Sequence, residues 1–317
     1  MIFGEISLKS EVVKLLLIDG NYYVYRSFYA IRDLRNSRGE ATNAVYGFVK
    51  SVRKMLRDIT PDYVAVVWDT GIPERRMQLQ PEYKQQRKEM PDEMIPQLKV
   101  IQDLAPLLGI QGVSLPNTEA DDLMASYTVA AVERGVEVVL ATNDKDLFQL
   151  VRPGVGVYST NKADLSGGGD FTILGVEEVM KKWGVPPEQI LGILALTGDS
   201  ADNIPGVPGV GPKTAVKILQ DIGASDGAPG LLNAADKIQN EKLREKVVAH
   251  RDLIEQNLEM VRLDLDLDLP LPLENLSPVA DYPRLLPTIQ ELEFKTLYKE
   301  LQKEATAAEG NRQAELF

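Results

Sequence analysis

Three short apolar runs in the first half of the chain constrain its fold more than any other feature. They are VVKLLLI at 12 to 18, YVAVVW at 63 to 68 and VEVVLAT at 136 to 142. Each is β-branched and nearly all apolar, as expected for strands buried on both faces of a parallel sheet. Helical patterns lie between them at 42 to 58, 92 to 108 and 119 to 134. This alternation predicts an α/β fold.

Carboxylates follow the predicted strands and helices in five clusters. Asp19, Asp69 and Asp144 each occur within two residues of a predicted strand end, and open parallel sheets bind ligands beyond the carboxyl ends of their strands. The nine acids are Asp19; Asp69; Glu119, Asp121 and Asp122; Asp144 and Asp146; Asp199 and Asp202. At one sheet edge they would repel strongly unless divalent cations neutralised them. The pattern therefore predicts metal-assisted phosphate chemistry.

Composition removes several other classes of chemistry. The chain of 317 residues has no cysteine and one histidine, His250, which excludes disulfides, zinc thiolates, thiol nucleophiles and multi-histidine metal sites. Neither a membrane span nor a signal peptide is indicated. The net charge of -12 ordinarily argues against a nucleic-acid partner. However, many of the acids belong to the five clusters, so a basic stripe elsewhere remains compatible with the total.

The acidic clusters also have ordinary explanations when each is taken alone. EADD at 119 to 122 is predicted to open a helix capped by Asn117 or Thr118, with Glu119 and Asp122 on one face and Asp121 about 100° from Asp122. An acidic first turn suits any helix dipole. The DKD at 144 to 146 is predicted to be extended, with both acids on one side. GDSADN at 198 to 203 follows an apolar helix. The ordinary explanations together require five independent coincidences.

The segment GVPGVGPKTAVKIL at 206 to 219 predicts a phosphate-binding turn. Its glycines leave backbone N–H groups accessible, and a helix beginning near Pro212 or Lys213 would direct its positive end at an anion. A nucleotide-binding P-loop does not fit, because Pro212 interrupts the pattern and no strand precedes it. A helix-hairpin-helix type of turn that grips a nucleic-acid backbone fits better. A simple Gly/Pro turn between two helices remains the alternative.

A basic segment, PERRMQLQPEYKQQRKEMP at 73 to 91, supplies positive charge beside the second strand. Its cations could meet a substrate phosphate and stabilise developing charge. They are Arg75, Arg76, Lys84, Arg87 and Lys88. A solvated helix of mixed charge is the alternative explanation for such a run.

Several motifs together resemble a known family. LLLIDGNYYVYRSFYA, NSRGEATNAVYGF, PEYKQQRKEMP, EADD, DKDLFQLV and LTGDSADNIPGVPGVGPKTA occur in order between about residue 12 and about residue 300. They closely resemble the 5'-nuclease domain of bacterial DNA polymerase I, a member of the flap endonuclease family. The resemblance implies a PIN-like, mainly parallel sheet flanked by helices, a helical arch over the active site and a helix-three-turn-helix subdomain.

The resemblance also implies roles for individual residues. All nine acids match metal-site acids for two Mg²⁺ ions, or Mn²⁺ in their place, about 3.5 to 4 Å apart. Lys84, Arg87 and Arg76 match catalytic cations of the arch, and Tyr22 matches a position beside the terminal bases of the substrate. The backbone-binding turn, which in relatives can hold K⁺, corresponds to Gly209, Gly211, Lys213 and Thr214. Asn143 stands where the family has glycine.

The expected organisation has four parts. Residues 1–11 form an N-terminal extension, 12–195 the nuclease domain with an arch at about 71–108, 196–305 the helix-three-turn-helix subdomain and later helices, and 306–317 a flexible tail. The last helix is expected at 288 to 305. In the terminal QAELF, Gln313, Leu316 and Phe317 resemble the peptide by which bacterial replication proteins bind the sliding clamp.

The implied function is 5'-3' exonuclease and 5'-flap endonuclease activity on DNA. The implied setting is a cytoplasmic, nucleoid-associated monomer, either a stand-alone nuclease or part of a polymerase, with a separate DNA polymerase as a further partner and RNA primers as further substrates. Two alternatives remain at this point: a non-catalytic flap-binding protein and a related metal-dependent ribonuclease. The intact acidic clusters argue against the first, and the duplex-binding turn argues against a purely single-stranded RNA substrate.

Overall fold

The computed structural model describes residues 12–160, 170–223 and 227–314, and side chains at 227–229 and 311–314 fall outside this description. The expected N-terminal extension and two residues of the expected clamp peptide, Leu316 and Phe317, therefore lie outside the described residues. Gln313 lies within the last helix, but its side chain is not described.

A six-stranded sheet forms the centre of the described structure, in the order β3-β2-β1-β4-β5-β6. Its first five strands are parallel and β6 pairs antiparallel with β5. The strands are β1 (Lys14–Asp19), β2 (Tyr63–Val67), β3 (Gln111–Val113), β4 (Glu137–Ala141), β5 (Val155–Thr160) and β6 (Phe171–Leu174). The three strands predicted from the apolar runs, β1, β2 and β4, are confirmed, as is the α/β class.

Burial on both faces explains why the central strands have continuous apolar sequences. Leu15 and Leu17 of β1 belong to one core cluster, whereas Leu16 and Ile18 belong to the cluster on the opposite face. All four side chains are fully buried. Successive side chains of a strand point to opposite faces, so a strand covered on both sides must be apolar at every position.

Helices cover both faces of the sheet. In the first part of the chain they are α1 (Gly20–Ala30), α2 (Asn43–Ile59), α3 (Glu74–Leu79), α4 (Ile95–Leu107), α5 (Ala120–Val132) and α6 (Val176–Trp183). The predicted helices at 42 to 58, 92 to 108 and 119 to 134 are confirmed within a few residues. The segment expected to form an arch begins with α3 and ends with α4, and residues 80–94 between them form turns and irregular backbone.

The remaining helices form the C-terminal part of the described chain. They are α7 (Ile190–Thr197), α8 (Pro212–Ile222), α9 (Gly227–Asn233), α10 (Glu241–Ala249), α11 (Arg251–Val261), α12 (Tyr282–Glu291) and α13 (Lys295–Ala314). None of the helices within the described ranges has the length and hydropathy of a membrane span.

The end of the described chain differs from the expectation. The single helix expected at 288 to 305 is two helices, α12 and α13, and residues 306–314 continue α13 where a flexible tail was expected. Good helix formers such as Ala307, Ala308 and Glu309 outweigh the single Gly310, whose cost is about 1 kcal/mol. Ion pairs from Arg53 of α2 to Glu300 and Glu304 also hold this helix against the body of the fold.

Candidate active site

A polar cleft of about 510 Å³ lies beyond the carboxyl ends of the central strands. Four predicted metal-site acids line it, each from a different segment of the chain: Asp19 at the end of β1, Asp69 after β2, Asp121 in the first turn of α5 and Asp144 after β4. Lys84, Arg87 and Lys88 line the same cleft, together with Tyr22 and Tyr25 of α1. The parallel sheet thus brings together residues that are far apart in sequence.

Asp19 is fixed by both neighbouring elements. One carboxylate oxygen, Oδ1, accepts the backbone N–H of Tyr22 at 2.9 Å and caps α1, and Oδ2 accepts the hydroxyl of Thr142 at 3.0 Å. Burial raises the pKa of Asp19 to about 7; the two hydrogen bonds oppose this rise, and the negative charges of Asp69 and Asp144 add to it. The carboxylate is therefore rigidly oriented and surrounded by like charge.

The DKD segment adopts a tighter conformation than predicted. Asp146 begins a 3-10 turn, and its backbone N–H donates to Oδ1 of Asp144 at 2.9 Å, so the two acids do not share one side of an extended strand. Burial, followed by nearby carboxylates, raises the pKa of Asp121 and of Asp146 well above the usual value. Asn143 is not among the residues with positive φ, so the described backbone does not require glycine there.

Glu119 and Asp122 share one face of α5, as predicted, but they face a guanidinium. The helix begins at Ala120 with Glu119 itself as N-cap residue, so the prediction of Asn117 or Thr118 as the cap was wrong. Asp122 is fully buried and makes a two-pronged ion pair with Arg76 at 2.6 and 2.9 Å. Glu119 also contacts Arg76. Asp121 lies on the other side of the helix, in the cleft.

Arg76 does not reach the cleft, unlike the other two predicted catalytic cations. Its Nε donates to the carbonyl of Met260 at 2.9 Å, and Nη2 donates to the carbonyl of Arg262 at 3.0 Å as well as to Asp122. Only 3 % of the side chain is exposed. All of its nitrogens are engaged, so the geometry favours a positioning role for Arg76 over contact with a substrate.

Lys84 and Arg87 line the cleft, and each forms an ion pair with a predicted metal-site acid. Lys84 contacts Glu119, and Arg87 donates to Oδ1 of Asp202 at 2.6 and 3.0 Å. The hydroxyl of Tyr83 lies 3.3 Å from both acids. Sequence analysis missed Tyr83, although its position beside Lys84 in the basic segment was a usable signal.

Asp199 and Asp202 occupy the turn after α7. The backbone of Asp199 pairs with Ile204, and its carboxylate pairs with Lys145 of the DKD segment at 3.0 Å. Asp202 faces the arch residues, whereas Asp199 faces the DKD segment. Ion pairs therefore link this turn to the arch segment through Arg87 and to the DKD segment through Lys145.

The donor set of the cleft fits hard divalent cations such as Mg²⁺ or Mn²⁺, which prefer carboxylate oxygens. Oδ1 of Asp146 is buried without a hydrogen-bond partner, which is costly unless a cation or water contacts it. Within the described ranges no group of three or more acidic or histidine side chains forms a ready-made metal site. Four of the nine acids form ion pairs with Arg76, Lys84, Arg87 or Lys145 instead: Glu119, Asp122, Asp199 and Asp202.

The predicted phosphate-binding turn has the expected local geometry. Helix α8 begins at Pro212 with Gly211 as N-cap residue, and Gly209 has φ +72°, a conformation that favours glycine. Lys213 at the start of the helix is exposed. Lys246 of α10, which sequence analysis missed, donates from Nζ to the carbonyl of Pro208 at 2.9 Å and stabilises the turn.

Two family models match consecutive parts of the chain. The first, described as 5'-3' exonuclease, N-terminal resolvase-like domain, matches residues 14–184. The second, described as 5'-3' exonuclease, C-terminal SAM fold, matches residues 185–282.

The chain is also similar to curated proteins named 5'-3' exonuclease and DNA polymerase I. A 5'-3' exonuclease of Aquifex aeolicus is 38% identical over 290 residues, which are 91% of this chain and 95% of that protein. DNA polymerase I of Rhizobium leguminosarum is 36% identical over 89% of this chain and 28% of its own length, and the Bacillus subtilis enzyme is 35% identical over 96% and 34%. The chain thus spans about a third or less of these polymerases.

Solved structures share the fold. T5 5'-exonuclease with bound zinc ions has a TM-score of 0.63 at 20% identity, and covers 92% of this chain and 98% of its own. T5 flap endonuclease in a pseudo-enzyme-product complex with DNA and metal ions gives 0.62 at 20% identity with the same coverage. The catalytic core of Rad2 with a DNA substrate gives 0.56 at 17% identity, over 89% of this chain and 88% of its own. At such identities the likeness establishes the fold.

Proposed function

Because the chain belongs to the 5'-3' exonuclease family, we propose that it hydrolyses DNA phosphodiester bonds from 5' ends and also cuts at the base of single-stranded 5' flaps. The products carry a 5'-phosphate and a 3'-hydroxyl. One observation carries the proposal: Asp19, Asp69, Asp121 and Asp144 line a single cleft that Lys84 and Arg87 also line. Acids and cations so arranged can hold divalent metal ions and a phosphate side by side.

The cleft carboxylates would hold two divalent cations, Mg²⁺ in the cell or Mn²⁺ in its place. Asp19, Asp69, Asp121 and Asp144 line the cleft directly, and Asp146 adds an oxygen without a hydrogen-bond partner. The other four predicted metal-site acids are not among the residues that line the cleft: Glu119, Asp122, Asp199 and Asp202. When bound, the cations supply Lewis acidity for attack by water on the phosphodiester.

The basic residues act on the phosphate. Lys84 and Arg87 line the same cleft as the four acids that would hold the cations, so a phosphate held at those acids through cations lies within their reach. Their donated hydrogen bonds stabilise charge on the phosphate oxygens as the reaction proceeds. Tyr22, which lines the cleft, contacts the terminal bases.

The turn at 206–211 binds the duplex backbone behind the cut. Exposed N–H groups at the start of α8 and the side chain of Lys213 face a phosphate, and Thr214 follows in the same turn of helix. The backbone of this turn would hold a K⁺ ion, which would supply further positive charge for a DNA phosphate. Gly209 and Gly211 permit the close approach of the backbone to the phosphate.

Cleavage of a labelled duplex with a single-stranded 5' flap, in the presence and absence of Mg²⁺, tests the proposal. We expect cuts near the junction by the wild type and none by Asp121→Asn. Asp121 is preferred to Asp122 because Asp122 is buried against Arg76, so its replacement would also disturb folding. Binding of the flap without cleavage under either Mg²⁺ or Mn²⁺ would favour the non-catalytic alternative. Selective cleavage of RNA would favour the ribonuclease alternative.

Partners of the chain form a separate part of the proposal. We propose a monomer that acts in the cytoplasm at the nucleoid, alongside a DNA polymerase, and accepts RNA primers at 5' ends. The terminal QAELF, with Gln313, Leu316 and Phe317, binds the sliding clamp. Deletion of residues 313–317 should abolish clamp binding and leave flap cleavage without the clamp unchanged. Unchanged clamp binding would remove this role of the peptide.

A further inference from the structure

Arg75 does not line the cleft. Its side chain contacts the C-terminal end of α11 instead. One guanidinium nitrogen, Nη2, donates to the carbonyl of Arg262 and to the carboxylate of Asp264, both at 3.1 Å, and Nη1 contacts the carbonyl of Glu259. The side chain is a quarter exposed. Carbonyls at the C-terminal end of a helix lack partners within the helix and carry partial negative charge, which a cation stabilises.

The segment that Arg75 contacts also makes a hydrogen bond to Asp122, a predicted metal-site acid. The backbone N–H of Asp264 donates to Oδ1 of Asp122 at 3.0 Å, and the carbonyl of Asp264 accepts the hydroxyl of Ser126 at 3.0 Å. Asp264 therefore has its carboxylate fixed by Arg75 of α3 and its backbone fixed to α5. We define Arg75, Asp264 and the backbone at 259–264 as the α11 latch.

Arg76 makes a second connection between the same elements. It reaches the carbonyls of Met260 and Arg262 on one side and Asp122 on the other. If α3 moved away from α11, two groups that orient the Asp122 carboxylate would therefore move: the Arg76 guanidinium and the backbone amide of Asp264. Nε of Arg75 is buried without a hydrogen-bond partner, at a cost of about 1 to 3 kcal/mol that reduces the net stabilisation from this contact.

We propose that Arg75 is a positioning residue for metal binding, through the α11 latch. It fixes α3 and Asp264 so that Asp122 and Glu119 keep the orientation required beside the cleft acids. The inference rests on the proposed function, since it concerns the metal-site acids of that reaction. It also links α11, which follows the turn at 206–211 along the chain, to the start of the arch segment, because this contact joins α11 and α3.

Arg75→Met, Arg75→Lys and Asp264→Asn test the latch, with Arg134→Met as a matched control. Arg134 forms an exposed ion pair with Glu274 and lies outside the site. We expect Arg75→Met to weaken Mn²⁺ binding, measured by calorimetry without DNA, by about tenfold, the scale seen when a group that orients a metal ligand is lost. The Mg²⁺ concentration for half-maximal flap cleavage should rise similarly. Flap affinity with Ca²⁺ in place of Mg²⁺ should stay within about twofold, and Arg75→Lys should restore part of the Mn²⁺ affinity.

The double variant of Arg75→Met and Asp264→Asn should be no worse than Arg75→Met alone, because Asp264→Asn removes a contact that Arg75→Met already removes. Unchanged Mn²⁺ affinity in Arg75→Met, with only a lower Tm, would overturn the proposal and leave a structural ion pair. Additive losses in the double variant would overturn it as well. If the wild type cut no flap, the proposed function would fail, whereas the Mn²⁺ calorimetry would still decide on the latch.

Discussion

Asp19, Asp121 and Asp144 in the cleft, and Asp146 beside Asp144, have raised pKa values because they are both desolvated and close to other acids. Burial is the largest cause for Asp19, Asp121 and Asp146, and neighbouring acids add to it. A group of this kind destabilises the fold once it is ionised, since the unfolded chain ionises more readily. The site is thus costly in the absence of cations and is stabilised by their binding.

The sign of this linkage predicts how metal-free stability depends on pH. The pKa of Asp19 is raised from 3.8 to about 7, so the folded state binds more protons than the unfolded state between these values. Stability without metal is therefore largest below about pH 4 with respect to this group and falls as pH rises toward 7. In EDTA, Tm should decrease between pH 5 and pH 7.5, and Asp19→Asn should reduce the slope. A Tm that rose equally in both proteins would contradict this account.

In the proposed mechanism, Lys84 would compete with metal ions for Glu119. Lys84→Met should lower flap cleavage by about a hundredfold or more, or about 2.7 kcal/mol of transition-state stabilisation. It should also strengthen Mn²⁺ binding without DNA, because Glu119 loses a cation that otherwise pairs with it. Calorimetry and single-turnover cleavage measure the two effects. Lys99→Met, which breaks an exposed pair with Asp103 on α4, is the control and should change neither. Full turnover by Lys84→Met would remove its catalytic role.

At the scale of elements, the arch segment and the turn after α7 form one docked unit. The backbone N–H of Lys84 donates to the carbonyl of Asp202 at 3.1 Å, and Nδ2 of Asn203 donates to the carbonyl of Glu82 at 2.8 Å. Lys84 and Asn203 both have positive φ, near 60°. Such backbone is unfavourable for residues other than glycine, and it persists here because contacts on both sides fix it.

The duplex-binding turn gives a prediction about one glycine. At Gly209, φ is +72° and an added Cβ would lie 2.6 Å from Nζ of Lys246. Gly209→Ala should therefore displace Nζ of Lys246 from the carbonyl of Pro208, which it stabilises, and weaken duplex binding by about tenfold, measured by anisotropy with Ca²⁺. Gly135→Ala is the matched control, because Gly135 also has positive φ but has open space around it. It should lose about 1 kcal/mol of stability and no DNA affinity. Equal affinity loss in both variants would point to general destabilisation.

At the scale of the whole molecule, the last helix is anchored to the sheet side opposite α5. Leu297 and Leu301 of α13 belong to the same core cluster as Phe48 of α2. Beside them, Arg53 pairs with Glu300 at 2.6 Å and with Glu304 at 2.5 Å. Helix α13 is therefore held against α2 by both apolar packing and ion pairs.

Arg53→Met tests this anchor. The Arg53 side chain is only 6 % exposed, so its loss should destabilise the protein by about 1 to 3 kcal/mol, less than for a fully buried pair because both glutamates are partly solvated. Tm should fall by several degrees, while flap cleavage at 25 °C should stay within about twofold. Loss of cleavage with unchanged Tm would mean that α13 contributes to the site itself.

The local pattern of the chain was sufficient for the central strands and the longer helices. Strands β1, β2 and β4 are continuous apolar runs, and α2 and α5 begin and end within two residues of their predicted limits. Strand β3 has three residues and β6 is partly exposed, so the hydrophobic pattern of neither strand can be told apart from that of a loop. Tertiary pairing with β2 and β5 determines both.

The apolar runs and the acids after them were enough to predict that carboxylates follow parallel strands, and the order of a parallel sheet then places Asp19, Asp69 and Asp144 at one edge. Which charges meet could be seen only in the folded chain. Arg76 and Lys84 are eight residues apart in the same basic segment, yet one is buried beneath α5 and the other lines the cleft. The backbone between them and the position of α11 decide this, because ion pairing depends on distances between segments that are far apart in sequence and cannot be read from local spacing.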